Sequence, residues 1–299
     1  MKAISNTAEH SPRYGLISLY TALVLLATNG LFSKTIPLPA LEITQLRTSI
    51  AAIAFILFFV SIYIVKRRHP WQLDSLRDYA INYGLGLVMG IHWATFFYSM
   101  QISSVAIGML SLACYPIITV CLEPLINGQR PLARDLFAAL IVLVGFGVMV
   151  PEWNLSHDHS AGLAWGFVSA LTMALRNIFQ RRFLRNYPAP TVMLHQVVAI
   201  ALGFALLADF SLTNTLSRED WLLLVLLGAV TTAFAHSLIS VSLRHFSAKT
   251  VGLISCIQPL IGAFLAWLFI NELPELRTFI GGSIILAAAV WETRQAQKS

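Results

Sequence analysis

Polar side chains recur at helical spacing within two otherwise apolar segments of this chain. They are His92, Thr95 and Ser99 in one segment, and Thr232, His236 and Ser240 in the other. Residues three, four or seven positions apart share one face of a helix, so each set forms a polar stripe. Because imidazole titrates near physiological pH, the stripes predict that His92 and His236 bind a polar substrate or carry a proton. The alternative is that both histidines only join packed helices through hydrogen bonds.

Charged residues inside apolar segments form a second group of candidates. Arg47 lies roughly 10 Å from the start of its segment, so it needs an anionic substrate, a carboxylate partner or helix-end carbonyls nearby. Arg176 either contacts substrate or extends to the membrane surface beside Arg181. Glu123 is a candidate for coupling, or else it pairs with Arg176 or Arg130.

Two stretches of the chain have matching proline positions. One proline lies within an apolar run and a second follows fifteen positions later in both ACYPIITVCLEPLINGQRP and CIQPLIGAFLAWLFINELP. Because proline removes a backbone donor and weakens a helix, Pro116 and Pro259 are predicted hinges that expose carbonyls to a cavity. Simple tolerance of proline in membrane helices is the alternative. The complete set of predicted substrate-binding residues is Asn29, Arg47, His92, Trp93, Thr95, Ser99, Tyr115, Arg176 and His236.

The composition indicates a membrane protein. Of the 299 residues, 57% are hydrophobic and only 11% are charged, and the mean hydropathy is +0.72, whereas ordinary soluble domains have roughly 25% charged residues. The net charge is +6, but Lys and Arg lie in short clusters between apolar segments. This distribution favours a role in membrane topology over nucleic-acid binding. The three cysteines lie within apolar segments, so neither a disulfide framework nor a metal site is predicted.

Gly, Pro and charged residues divide the chain into ten apolar stretches, each near the ~20 residues that a helix needs to cross a bilayer. The predicted spans are 14–34, 41–65, 79–102, 104–126, 132–151, 161–181, 188–208, 219–243, 247–270 and 276–293. Most Lys and Arg residues fall in the connections on one side, so both termini are predicted to be cytoplasmic. The absence of an organelle signal fits the cytoplasmic (inner) membrane, and a eukaryotic membrane stays open. GLVMG at residues 86–90 predicts close helix contact and leaves open whether a homodimer forms.

The first five spans correspond to the last five. An offset of 143 aligns residues 99–131 with 242–274 without a gap and brings His236 opposite Trp93, and an offset of 149 aligns the second span with the seventh. An odd number of crossings per repeat inserts the second copy in the opposite orientation. The predicted fold is therefore an all-α membrane protein with ten transmembrane helices in two inverted five-helix repeats. The predicted repeats are residues 1–151 and 152–299.

The order of these features resembles the EamA-type transporters of the drug/metabolite transporter superfamily. The resemblance covers essentially the whole chain. It rests on the five-plus-five arrangement, the Arg in TQLRTSIAAIAF, and the ends of the fourth and ninth spans in GQRP and NELP. It implies a ten-helix transporter of small molecules. In that family the fourth and ninth helices commonly end in Gly-Glu-Arg-Leu-like sequences, so Gln129 departs from the pattern and Glu272 keeps it.

The leading hypothesis is a secondary active transporter that exports small metabolites such as amino acids by alternating access, without a cofactor. Its predicted partners are a small-molecule substrate and the lipid bilayer. The sequence contains no GxxxxGK[ST] loop, which disfavours ATP drive, and proton coupling, exchange and facilitated diffusion all stay open. A broad-specificity exporter of aromatic or cationic compounds is the alternative within transport. An intramembrane enzyme is the alternative outside it, with SHDHS (His157, Asp158, His159) as its nearest catalytic candidate.

Overall fold

The computed structural model describes residues 12–66, 69–103, 105–112, 114–149, 157–270 and 276–296. Helices are the only regular secondary structure in these ranges. The first half contains α1 (Pro12–Ala27), α2 (Asn29–Thr35), α3 (Ala40–Lys66), α4 (Leu76–Ile102), α5 (Val105–Leu112), α6 (Cys114–Ile126) and α7 (Ala133–Met149). The second half contains α8 (His157–Leu184), α9 (Ala189–Phe204), a short 3₁₀-helix (Phe210–Thr215), α10 (Arg218–Leu226), a π-helical segment (Leu227–Phe234), α11 (Ala235–His245), α12 (Ala248–Ser255), α13 (Gln258–Ile270) and α14 (Leu276–Ala296).

These helices occupy all ten stretches predicted from the sequence, so the all-α prediction is confirmed. In the part of the chain that the structure describes, four helical segments are long and apolar enough to cross a membrane: Pro12–Thr35, Ala40–Val65, Ser160–Leu184 and Arg218–His245. The count of ten crossings and the division into residues 1–151 and 152–299 stay predictions. Glu272 and the side chains of His157, Asp158 and His159 lie outside the described residues.

Polar residues define where several helices begin. The Ser75 hydroxyl accepts a hydrogen bond from the backbone N of Asp78 over 3.1 Å at the start of α4. At the start of α12, the Ser247 hydroxyl accepts from the backbone N of Thr250 over 3.2 Å. The first N–H groups of a helix have no intrahelical acceptor, so a serine at this position satisfies one of them. These caps fix the residues at which α4 and α12 begin.

Two long helical stretches are interrupted. α1 gives way to α2 at Thr28, and α12 ends at Ser255 shortly before α13. The helix that contains α10 and α11 stays continuous but widens into the π segment, a type of turn that is frequent at functional sites. Backbone groups freed at membrane depth are tolerated where they are buried in protein or line a cavity. The interruptions therefore indicate where to look for a binding site.

The two halves pack onto each other in a reciprocal way. α4 packs along α8 and α9, while α11 packs along α1, and the π segment packs on α3. This is the packing expected if a pseudo-two-fold axis relates the halves. At the α4–α9 contact, a Cβ added to Gly86 would lie 2.7 Å from the backbone O of Gln196, and one added to Gly90 would lie 2.8 Å from the Phe204 ring. The close helix contact predicted for GLVMG is confirmed.

Candidate functional site

A cavity lies between the two halves of the protein. It is lined by Tyr115 and Pro116 of α6 and by Gln258 and Pro259 of α13, together with side chains of α1, α5, α8, α11 and α12. The volume open to the centres of water molecules is about 40 Å³, which is room for a few waters. The cavity is therefore narrow in this structure and must widen to hold a metabolite.

The lining of this cavity repeats under the 143-residue offset. The equivalent pairs are Met109 and Gly252, Leu112 and Ser255, Tyr115 and Gln258, and Pro116 and Pro259. Equivalent residues of two inverted repeats can line one cavity only near the pseudo-two-fold axis, because away from the axis they lie on opposite sides of the molecule. Inverted-repeat transporters bind substrates near the bilayer midplane, where the repeats meet. The cavity lies in the corresponding position.

Pro116 and Pro259 lie in the first turns of α6 and α13. Before α13 the chain turns at residues 256–257, so the missing N–H of Pro259 removes no intrahelical bond and Pro259 does not weaken a continuous helix. For Pro116 that expectation stays a prediction, because residue 113 before α6 lies outside the described residues. The Gln258 side chain donates from Nε2 to the Leu26 carbonyl over 3.2 Å, near the end of α1. The hinge role of the two prolines stays a prediction.

Trp93 of α4 and His236 of α11, which are equivalent under the 143-residue offset, are in direct contact. Trp93 Nε1 donates to His236 Nε2 over 3.1 Å, and the ring centroids are 4.8 Å apart. Because Nε2 accepts this bond, neutral His236 carries its proton on Nδ1, which has no hydrogen-bond partner among the described residues. Contact between equivalent residues places this pair near the same axis as the cavity.

Arg47 of α3 is fully buried beside this pair. Its Nε donates to Thr232 Oγ1 over 2.8 Å, and its guanidinium carbon lies 4.7 Å from the Trp93 ring centroid and 5.2 Å from the Phe97 ring centroid. Neither Nη1 nor Nη2 has a hydrogen-bond partner among the described residues, so no helix-end carbonyl there accepts from them. The π segment orients the acceptor, since Thr232 Oγ1 itself donates to the Leu227 carbonyl over 2.7 Å.

Arg176 of α8 is also fully buried, so the alternative that it extends to the membrane surface is wrong. Its Nη2 and Nε donate to Gln196 Oε1 over 2.7 and 3.2 Å, and its Nη1 donates to Asn177 Oδ1 over 2.9 Å. Asn177 Nδ2 donates in turn to the Tyr115 hydroxyl over 2.9 Å. Arg176 is therefore held by neutral amides and connected through Asn177 to the cavity wall.

The polar stripe on α4 faces α8 and is absent from the cavity lining. His92 Nδ1 lies 2.8 Å from Ser169 Oγ and 3.0 Å from the Ser169 carbonyl, and since a carbonyl only accepts, Nδ1 carries the proton. Ser99 Oγ donates to the Gly162 carbonyl over 2.7 Å. Thr95 donates to a carbonyl one turn earlier in its own helix. The structure does not bring these three residues to the cavity, and their substrate-binding role stays a prediction.

Asn29 and Ser240 are buried polar residues close in sequence to residues that line the cavity. Neither Asn29 Oδ1 nor Ser240 Oγ has a hydrogen-bond partner in the described ranges. Ser240 lies one turn after His236 on α11, and Ile239 of the same turn lines the cavity. Asn29 follows three residues after Leu26, which also lines the cavity. Unsatisfied buried polar atoms in a native structure call for an explanation, and ligand binding is one.

Glu123, near the end of α6, binds the N-terminus of α12. Its Oε1 accepts from the backbone N of Ala248 over 2.9 Å, and its Oε2 accepts from the backbone N of Lys249 over 2.7 Å. The predicted pairing with Arg176 or Arg130 is therefore wrong. The physical reason is that the first N–H groups of a helix lack acceptors and the helix dipole favours a negative charge there.

Three residues of this site were missed by the sequence analysis as partners: Thr232 for Arg47, and Asn177 and Gln196 for Arg176. Thr232 was visible in the α11 stripe, and buried amides within apolar segments give the same signal as the histidines. The π segment leaves no comparable sequence signal. In the described ranges, no group of three or more His, Cys, Asp and Glu side chains is placed to hold a metal ion.

Comparison with known families gives two matches along this chain. The model of the EamA-like transporter family matches residues 13–150 and again residues 160–293. A solved crystal structure has a TM-score of 0.75 at 18% sequence identity, covering 96% of this chain and 99% of its own. At that identity the likeness shows the fold alone.

Curated relatives are named as transporters. An uncharacterized transporter of Archaeoglobus fulgidus is 23% identical over 283 residues, covering 95% of this chain and 97% of the relative. The pseudopaline exporter CntI of Pseudomonas aeruginosa is 23% identical over 255 residues, with 85% and 86% coverage. The biotin transporter of Escherichia coli K12 is 25% identical over 168 residues, with 53% and 54% coverage.

Proposed function

The chain belongs to the EamA-like transporter family, and we propose that it is a secondary active transporter that exports small metabolites such as amino acids across the cytoplasmic membrane. Family membership makes it a multi-pass membrane transporter of a small molecule. The observation that carries the finer proposal is the cavity whose lining residues pair up under the repeat offset. A cavity on the axis between inverted repeats is reached from either side as the repeats exchange conformations, which is alternating access.

Contacts between the halves close one side of this cavity. Glu123 at the end of α6 caps α12, Lys249 of α12 forms an ion pair with Asp135 of α7, and Arg182 of α8 donates to the Ile126 carbonyl. Lys and Arg are concentrated at these ends of the helices, which supports the proposal that this side and both termini are cytoplasmic. Opening toward the cytoplasm requires these contacts to break.

Coupling to protons would use His92, His236 or Glu123. His236 contacts Trp93 on the axis, and the Trp93 ring lies against the Arg47 guanidinium. His92 holds α4 against α8 by bonding to Ser169 on α8, the helix that carries Arg176. A proton on either imidazole therefore adds positive charge to a region that already holds two guanidinium groups. Protonation and anion binding are expected to favour each other there.

A broad-specificity exporter of aromatic or cationic compounds is the second candidate. Trp93, Phe97 and Tyr115 provide aromatic surface near the axis. The buried guanidinium groups of Arg47 and Arg176 repel cations, so the structure favours the aromatic part of this alternative over the cationic part. Family membership favours transport of either kind over an intramembrane enzyme. The relatives named for pseudopaline and biotin support a small-molecule substrate.

Flux in proteoliposomes tests the proposal. Purified protein is reconstituted, and uptake and efflux of a mixed panel of amino acids and other metabolites are followed with and without an imposed pH gradient. We expect flux of at least one panel member and loss of that flux in His92→Ala, because His92 joins the helices beside the axis. His69→Ala, which changes an exposed histidine, is the matched control.

The outcomes separate the mechanisms. Flux that follows the pH gradient and disappears in His92→Ala supports proton-linked transport. Flux that ignores the gradient supports exchange or facilitated diffusion. Flux that persists in His92→Ala restricts His92 to helix packing. No flux of any panel member, from protein shown to be folded, contradicts the proposed export of such metabolites.

A further inference from the structure

Two nitrogen atoms of the Arg47 guanidinium, Nη1 and Nη2, have no hydrogen-bond partner among the described residues. The side chain is fully buried, and its Nε is bonded to Thr232. Burying a charged group without compensation is costly, and in membrane proteins such residues mark ligand or ion sites. The faces of Trp93 and Phe97 offset part of this cost through cation–π contacts but leave both amino groups unsatisfied.

The described residues supply no counter-charge to Arg47 or Arg176. Among the described residues, neither Arg47 nor Arg176 has a carboxylate within ion-pair distance. The nearby acidic groups are engaged elsewhere, with Glu123 on the N-terminus of α12 and Glu42 accepting from the backbone N of Asp209. Arg47 and Arg176 therefore have no paired carboxylate in the part of the chain that the structure describes.

The second half provides an internal comparison. Under the 149-residue offset, the position equivalent to Arg47 is Gln196. All hydrogen-bonding groups of that amide are used, since its Oε1 accepts from Arg176 and its Nε2 donates to Asn82 and Gln180, both over 3.1 Å. Arg47 thus has two unsatisfied donor groups where the equivalent Gln196 has none. A symmetric structural requirement would not produce this difference.

We propose that Arg47 binds a carboxylate group of the transported substrate through Nη1 and Nη2. This inference rests on the proposed transport function and names its substrate class: small metabolites with a carboxylate and a largely apolar body. A guanidinium fork matches a carboxylate in a bidentate geometry, and the Nε bond to Thr232 fixes the plane of that fork. His236 contacts Trp93, whose ring lies against the Arg47 guanidinium, and Ile239 lines the cavity one turn further along α11. In this proposal the apolar body extends from Arg47 toward that cavity.

The binding test compares acids with their neutral amides. Wild-type protein in nanodiscs is heated with benzoate, phenylacetate or biotin, and separately with the corresponding neutral amide, at constant chloride and pH. A bidentate charged pair corresponds to roughly 10- to 100-fold in affinity. We therefore expect each acid that binds to raise the unfolding temperature at concentrations roughly 10- to 100-fold below those needed for its amide.

Arg47→Gln removes the charge, and Arg47→Lys keeps the charge without the fork. We expect the preference for the acid to disappear in Arg47→Gln and to weaken in Arg47→Lys, while Arg218→Gln, which changes an exposed arginine at the start of α10, keeps it.

Equal stabilisation of the wild type by acid and amide, or stabilisation by neither, overturns the inference, and this result needs no variant to fold. A preference that survives in Arg47→Gln also overturns it. Flux of neutral compounds without a preference for acids would refute the carboxylate site and support the transport function. Absence of all flux, together with an acid preference that depends on Arg47, would support the carboxylate site and refute the transport function.

Discussion

The contact between α4 and α9 can be tested with two glycines of the same helix. A Cβ added to Gly86 would lie 2.7 Å from the backbone O and 2.8 Å from the Cα of Gln196, so the α9 backbone must move. A Cβ added to Gly84 would meet nothing within 4 Å. Because Gln196 holds the Arg176 guanidinium, a displacement of α9 is transmitted to the site.

The two substitutions have the same effect on helix propensity but differ in the packing strain that they cause. Either Gly→Ala change lowers the backbone entropy of the unfolded chain and favours the helix by roughly 0.5–1 kcal/mol. Only Gly86→Ala adds the strain of overpacking, which is typically about 1–3 kcal/mol. The difference between the variants therefore isolates the overlap with α9. We expect Gly84→Ala to leave stability unchanged or to raise it slightly. We expect the free energy of unfolding of Gly86→Ala to be about 1–3 kcal/mol lower than that of Gly84→Ala.

Thermal unfolding of both variants in nanodiscs measures this difference, and flux through the same preparations reports on the site. Gly86→Ala is expected to melt several degrees below Gly84→Ala and to transport more slowly. If the two variants melt together, α4 and α9 do not approach as closely as the structure indicates. The argument that Gly86 positions Gln196 would then fail.

Three further predictions concern individual contacts. Trp93→Phe keeps an aromatic face but removes the donor to His236 and leaves space in the core, so we expect a several-fold loss of flux and a lower unfolding temperature. Glu123→Gln places an amide against backbone N–H donors and is expected to speed hydrogen exchange at the start of α12 roughly tenfold or more, measured by mass spectrometry. The Tyr187 hydroxyl donates to Asp78 and lowers the pKa of that carboxyl below 3.8. This contact stabilises the folded state above that pH and is lost as the pH falls further, so Asp78→Asn should lose less stability than wild type between pH 6 and pH 3.

Helix positions could be predicted because composition and punctuation determine them directly. Each apolar stretch between Gly, Pro or charged residues became helical, and the Gly86–Gly90 spacing correctly predicted a close helix contact. These features depend on local sequence and on the need to satisfy backbone groups in lipid.

Side-chain partners could not be predicted in the same way, because they depend on which helix faces which. Arg176 was five positions from Arg181, and distance along the chain made the membrane surface a plausible destination. The structure turns it inward to Gln196, twenty residues away. Glu123 likewise binds backbone donors that no charge pattern reveals. Both outcomes follow from unsatisfied polar groups, which exist only once the helices are packed.

The pseudo-two-fold axis makes the two halves alike in backbone but not in chemistry. Trp93 is equivalent to His236, and Tyr115 is equivalent to Gln258. In the second half the position of Arg47 is occupied by Gln196, whose amide is fully hydrogen-bonded. If the halves exchange conformations during transport, the two entrances exchange roles while these side chains stay where they are. A carboxylate on Arg47 would then face the same half in both states. The inverted repeat would thus supply symmetric gates, and the sequence differences at the axis would give the substrate a single orientation.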